Sequence, residues 1–170
     1  AWPWLVASAL LHMGYKLFLI RAYEHGDLSQ VYPVARGTAP LIVLLVGAIF
    51  LGEELGASKT AAVLCIGFGI IVMTLRRQRI DRMSPKALAF ALGTACFTAS
   101  YTMTDGVGAR LAGTASGYTM WMFLGDAIGI LTYALVTRGR GVFLNLAPAW
   151  KSGVTAGGLS LGAYWIVIWA

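Results

Sequence analysis

Charged side chains are scarce in this chain. They make up 12% of its residues, whereas a soluble domain carries roughly 25%, because its surface must face water. That shortage argues against a self-standing soluble domain. The rest of the composition agrees, with 58% hydrophobic residues and a mean hydropathy of +0.74. Cysteine is nearly absent: Cys65 and Cys96 both fall inside apolar runs and read as small packing residues rather than redox or metal groups. The two histidines, His12 and His25, do not make a metal-ligand spacing. There is no H-E-x-x-H, no G-x-S-x-G, no P-loop and no pair of catalytic groups, so no enzyme, cofactor or metal is expected. No basic-aromatic pattern for stacking bases exists either, which leaves nucleic acid out. The period-2 alternation of a membrane barrel is also missing.

What the chain does have is long uncharged stretches: Thr60–Leu75, Ala87–Thr104, Leu111–Gly125 and Ser152–Ala170. A helix needs about 20 mostly apolar residues to cross a bilayer, and only helices or closed barrels satisfy every backbone group in lipid. The reading is therefore an all-α integral membrane protein with six transmembrane helices, at 3–24, 28–52, 58–76, 86–105, 113–137 and 151–170. Short turns separate them, marked by His25-Gly26-Asp27, Gly52 to Ser58, Ser84-Pro85, Gly106 to Gly113 and Arg138 to Pro148. Asp27 suits an N-cap for the second span. Ser84 suits one for the fourth, with Pro85 at the first helical position.

The first and last spans read alike. Laying Ala1–Ala22 over Ala149–Ala170 matches Ala1, Trp2, Val6, Leu11, Gly14, Ile20 and Ala22 with identical residues. Repeats with an odd number of spans are inverted, and in secondary transporters such repeats enclose the solute site. The ends look cut, and the expected parent has ten helices in two five-helix repeats. On that basis 1–76 forms the last three helices of one repeat, 77–85 a basic linker, and 86–170 the first three helices of the next. Basic residues cluster on one side, at Arg21, in the 76–86 stretch and at Arg138, Arg140 and Lys151, which places that linker in the cytoplasm.

Ionisable residues inside spans are the main chemical clue, because a charge at mid-bilayer costs about 2.5 to 3.5 kcal/mol even on the mild insertion scale. Lys16 lies in the first span with His12 one turn earlier on the same face. Arg36 sits in Tyr32-Pro33-Val34-Ala35-Arg36-Gly37-Thr38-Ala39-Pro40, where two prolines and a glycine should loosen or kink the helix. Asp126 stands in the fifth span between Gly125 and Gly129. Arg36, Lys16, Tyr32, Tyr15, Tyr101 and Trp121 are the candidate substrate-binding residues, and Asp126 and His12 the candidate proton-coupling ones. The competing reading is that Arg36 or Lys16 pairs with Asp126 and only holds the bundle together. Glycine pairs at 113/117, 125/129, 153/157 and 158/162 are expected to let helices pack closely.

The stretch Ala22–Pro40, followed by Leu51-Gly52-Glu53 and a glycine-bearing helix, resembles the EamA-type drug/metabolite transporter superfamily, with Pro40 and Leu51-Gly52-Glu53 carrying the match. The resemblance implies two inverted five-helix repeats, a central cavity, and movement of small metabolites across the bacterial inner membrane. It also implies cytoplasmic termini, which would put the basic linker outside, against the charge count. The expected function is secondary transport, export ahead of uptake, of small polar or amphipathic metabolites, with Asp126 and His12 as the candidates for coupling it to protons. Expected partners are the metabolite, the lipid bilayer and, as an open assembly, a second copy in a homodimer. The alternative is a non-transporting scaffold or a lipid-linked-sugar flippase subunit of the same fold.

Overall fold

The computed structural model describes residues 1–50, 56–76, 83–143 and 147–169, and every regular element among them is helical. The helices are α1 (Trp2–His25), α2 (Leu28–Phe50), α3 (Ala57–Arg76), α4 (Pro85–Ala112), α5 (Ala115–Arg138) and α6 (Trp150–Trp169), with 3₁₀ turns at Gly139–Gly141 and Ala147–Ala149. Leu51-Gly52-Glu53 and most of the basic 76–86 stretch, including Arg77, Arg79 and Arg82, lie outside the described residues.

Three helical segments are long and apolar enough to cross a membrane: Trp2–His25, Leu28–Ile49 and Ala115–Gly141. Thr60–Gly69 in α3 is a shorter apolar stretch. In α4 the length suffices, but hydroxyls dilute the hydropathy. Thr94, Thr98, Ser100 and Thr102 each donate to a carbonyl four residues back, at 2.7 to 2.9 Å. This back-bonding satisfies each hydroxyl within its own helix.

Helix boundaries follow local chemistry. Ser84 caps α4: its Oγ accepts from the Ala87 N–H at 3.1 Å and donates to the His25 carbonyl at 3.0 Å. One side chain thus satisfies an orphan N–H of α4 and an end carbonyl of α1. Ser84→Ala is expected to destabilise the fold by about 1 to 2 kcal/mol, read as a lowered melting temperature, with Ser84→Asp retaining most of the cap. At Asp27 the backbone carbonyl accepts from Gln30 and Val31 at 2.9 and 3.0 Å, which starts α2. The fourth helix runs seven residues past its expected end at 105. Gly106 and Gly108 are helical, and the stop comes at Gly113, whose φ of 72° favours glycine.

The chain forms two compact units. In the unit Gly14–Met103, small residues bring α1, α2 and α4 together around Ala22, Val31, Ala35, Ala87 and Ala91. Closer still is a reciprocal pair. The ring of Phe97 on α4 occupies the place a Cβ at Gly14 would take, and the ring of Phe18 on α1 does the same at Gly93. The two rings meet at 5.0 Å between centroids. Gly67 on α3 receives Leu41 of α2 in tight contact, 3.1 Å from an added Cβ.

In the unit Ala1–Met13 with Thr104–Ala170, Gly108 admits the ring of Tyr118, which would lie 2.6 Å from a Cβ there. That approach lets the Tyr118 hydroxyl donate to Asp105 Oδ1 at 2.9 Å. Gly125 and Gly129 face Ala9 and Met13 of α1, so this pair does serve packing. The other glycine pairs correct the expectation. Gly113 makes a turn, and Gly153, Gly157, Gly158 and Gly162 have open space where a Cβ would be. Cys65 and Cys96 are exposed rather than packed inside.

Candidate functional site

The site begins with the rotation of α2. Val31, Ala35 and Ala39 recur every four residues and are buried at 0 to 3% exposure, so this stripe faces the packed side. Arg36, one residue on, then emerges at the edge of that face. Its guanidinium lies 5.9 Å from the Tyr15 ring centre and 5.8 Å from the Tyr32 ring centre, and its Nη2 donates to the Tyr15 hydroxyl at 3.3 Å. Tyr101 is a further polar neighbour and meets Tyr15 edge-on at 5.7 Å. Cation–π contact of this kind contributes about 0.5 to 1 kcal/mol at an exposed site, enough to orient a side chain without locking it.

Two prolines interrupt the hydrogen bonding of α2, yet the helix continues from Leu28 to Phe50 across both. Proline lacks an N–H, so Pro40 leaves the Arg36 carbonyl without its usual donor four residues on. The expected kink is therefore a loss of ladder bonds and not a break in the helix.

Arg36 and Pro40 line a cavity of about 580 Å³ with Ala39, Val43, Leu44 and Gly47 of α2, Ala62 and Val63 of α3, and Thr98 and Thr102 of α4. Small-molecule sites commonly measure about 300 to 1,000 Å³ and combine an apolar wall with few polar groups. Here the polar groups are one guanidinium and two hydroxyls. Each hydroxyl spends its hydrogen on its own helix, so towards the cavity it can only accept. A guanidinium has five N–H donors, more than the surrounding phenols absorb. The cavity is thus chemically matched to a molecule with an anionic end and an apolar body. Among the described residues no carboxylate pairs with Arg36; the ion pair there is Arg21 with Glu24, exposed at the end of α1.

No protein-family model, no curated protein and no solved structure matches this chain.

Of the residues singled out by sequence, the structure brings together Arg36, Tyr15, Tyr32 and Tyr101. Lys16 is half-buried on α1 in the same unit. His12, Trp121 and Asp126 belong to the other unit. There, Trp121 meets Trp2 edge-on at 5.3 Å, and His12 Nδ1 lies 3.0 Å from the Ser8 carbonyl and 3.3 Å from the Ser8 hydroxyl. Asp126 is half-buried on α5. Sequence reasoning missed Thr98 and Thr102, whose threonine ladder at i, i+4 was a readable signal. It also missed Asp105, which is 1% exposed and had been placed at the last residue of a span.

Proposed function

We propose that this chain works in an EamA-type secondary transporter of the drug/metabolite transporter superfamily, multi-pass in the bacterial inner membrane, and exports small amphipathic metabolites. In this reading the six helices are spans of a ten-helix fold with two inverted repeats, and three segments are long and apolar enough to cross a membrane. The observation that carries the proposal is Arg36, held by phenols at the wall of an apolar cavity and unpaired with any carboxylate among the described residues. A cation in such a setting is expensive unless it meets water or a ligand. Arg36 binds the anionic end of the solute, Tyr15, Tyr32 and Tyr101 orient the guanidinium, and Lys16 of the same unit belongs to the wider path.

The test is a thermal-shift screen of the full-length protein against amino acids, nucleosides and phosphonates, followed by flux of each hit in proteoliposomes. Ligands of the folded state raise its melting temperature by mass action. A protein that binds and moves none of these solutes is a scaffold, and the proposal fails.

A further inference from the structure

Asp105 is 1% exposed, the one buried carboxylate among the described residues. Its Oδ1 accepts from the Tyr118 hydroxyl of α5 at 2.9 Å, and its Oδ2 accepts from the Tyr164 hydroxyl of α6 at 2.5 Å. Tyr118 is as deeply buried as Asp105, whereas Tyr164 is only partly so. Among the described residues no lysine or arginine lies within ion-pair reach of these oxygens. The titratable groups facing the carboxylate are Tyr118 and Tyr164. Behind them stand His12 of α1, its ring 6.0 Å from that of Tyr164, and on α4 itself Arg110, one turn on near Gly106.

Two phenols offset part of a desolvated negative charge, but no full positive charge does so here. An ionised carboxylate only accepts hydrogen bonds; once protonated, one oxygen becomes an O–H donor. The two states therefore demand different partners. With Asp105 ionised, both phenols donate. With a proton on Oδ2, the Tyr164 hydroxyl must turn to accept from it, while Tyr118 can keep its bond to Oδ1. Tyr164 is the less buried of the two and lies on the solvent side, so the change falls on the link from α4 to α6.

We propose that Asp105 is a reversible proton-binding site whose occupancy resets the Tyr164 hydrogen bond. The proton comes from hydronium on the partly exposed Tyr164 side: one O–H bond of the hydronium breaks and leaves water, one O–H bond forms on Oδ2, and release reverses the exchange. The inference shifts proton uptake from Asp126 to Asp105. It does not depend on the transport reading, since a proton can bind whether or not a solute moves.

Infrared difference spectroscopy of the full-length protein in detergent, acid minus alkaline, tests this without any solute. The expected result is a protonated-carboxyl C=O band that disappears in Asp105→Asn and persists in Asp126→Asn. In Tyr164→Phe the same band moves to higher frequency, because it has lost a hydrogen-bond partner. Circular dichroism and gel filtration check that each variant folds. An unchanged band in Asp105→Asn overturns the proposal. A band unmoved in Tyr164→Phe overturns it too, because the phenols are then a fixed structural tie. If Asp105→Asn does not fold, the Tyr164→Phe frequency alone decides: a shift upholds the proposal and no shift overturns it.

Discussion

Arg36→Ala is expected to abolish most solute flux while leaving the helices folded. A hydrogen bond between charged groups contributes about 1.5 to 3 kcal/mol, and 1.4 kcal/mol corresponds to a tenfold change in affinity. Losing the guanidinium should therefore weaken binding of an anionic solute by roughly 10- to 150-fold. The opposing effect is structural. Arg36 gains two exposed cation–π contacts, one long hydrogen bond to Tyr15 and a polar contact with Tyr101, together on the order of 1.5 to 3.5 kcal/mol. Against this, a cation at membrane depth is itself unfavourable by about 2.5 to 3.5 kcal/mol. The melting temperature should then hold or rise as flux falls. Stability and function moving in opposite directions is the signature of a ligand-binding cation, because a purely structural arginine would lower both. Arg36→Lys keeps the charge but loses the planar fork, and flux should fall between the two extremes. Wild-type flux in Arg36→Ala, measured in proteoliposomes, would remove Arg36 from the solute path.

How much of this was legible depended on whether a contact is local. Tyr32 and Arg36 are one helical turn apart, so their proximity follows from spacing alone. Tyr15 and Arg36 lie 21 residues apart, and only the packing of α1 against α2 unites them. The helix positions were readable from apolar runs and caps, as Ser84 illustrates. The end of α4 was not. Gly106 and Gly108 look like breakers in sequence, yet a glycine ends a helix only where the backbone turns left-handed, and that is Gly113. The two extra turns place Asp105 inside a helix instead of at a water boundary. Spacing misled in a second way. Gly153/Gly157 and Gly158/Gly162 fit the close-packing pattern but face open space, whereas Gly14, Gly93 and Gly108 each receive an aromatic ring from a facing helix. The need for such a glycine is set by the partner's side chain, which no pattern within one helix records.

Gly93→Ala is expected to destabilise the protein, and the reason lies in the paired rings of α1 and α4. A Cβ at Gly93 would fall on the ring of Phe18, and one at Gly14 on the ring of Phe97. Phe18 cannot simply swing aside, because it is also packed edge-on to Phe90 at 5.7 Å and tilted against Phe97 at 5.0 Å. Overpacking of this kind costs about 1 to 3 kcal/mol. Alanine recovers about 0.8 to 1 kcal/mol over glycine through helix propensity, so the clash should prevail by up to about 2 kcal/mol. Gly14→Ala should behave alike, and Gly93→Leu worse than either. Gly157→Ala provides the contrast: nothing lies within 4 Å of its added Cβ, so propensity acts alone and the variant should gain up to about 1 kcal/mol. Trimming the opposing ring should rescue the clash. Gly93→Ala combined with Phe18→Leu is expected to melt higher than the sum of the single changes predicts, since touching residues couple by about 0.5 to 3 kcal/mol. Thermal melts in detergent read all of these variants, with Phe18→Leu alone, on one scale. If Gly93→Ala melted with Gly157→Ala, above the wild type, the rings would be yielding without strain, and the tight crossing of α1 and α4 would rest on the alanines at 22, 87 and 91 instead.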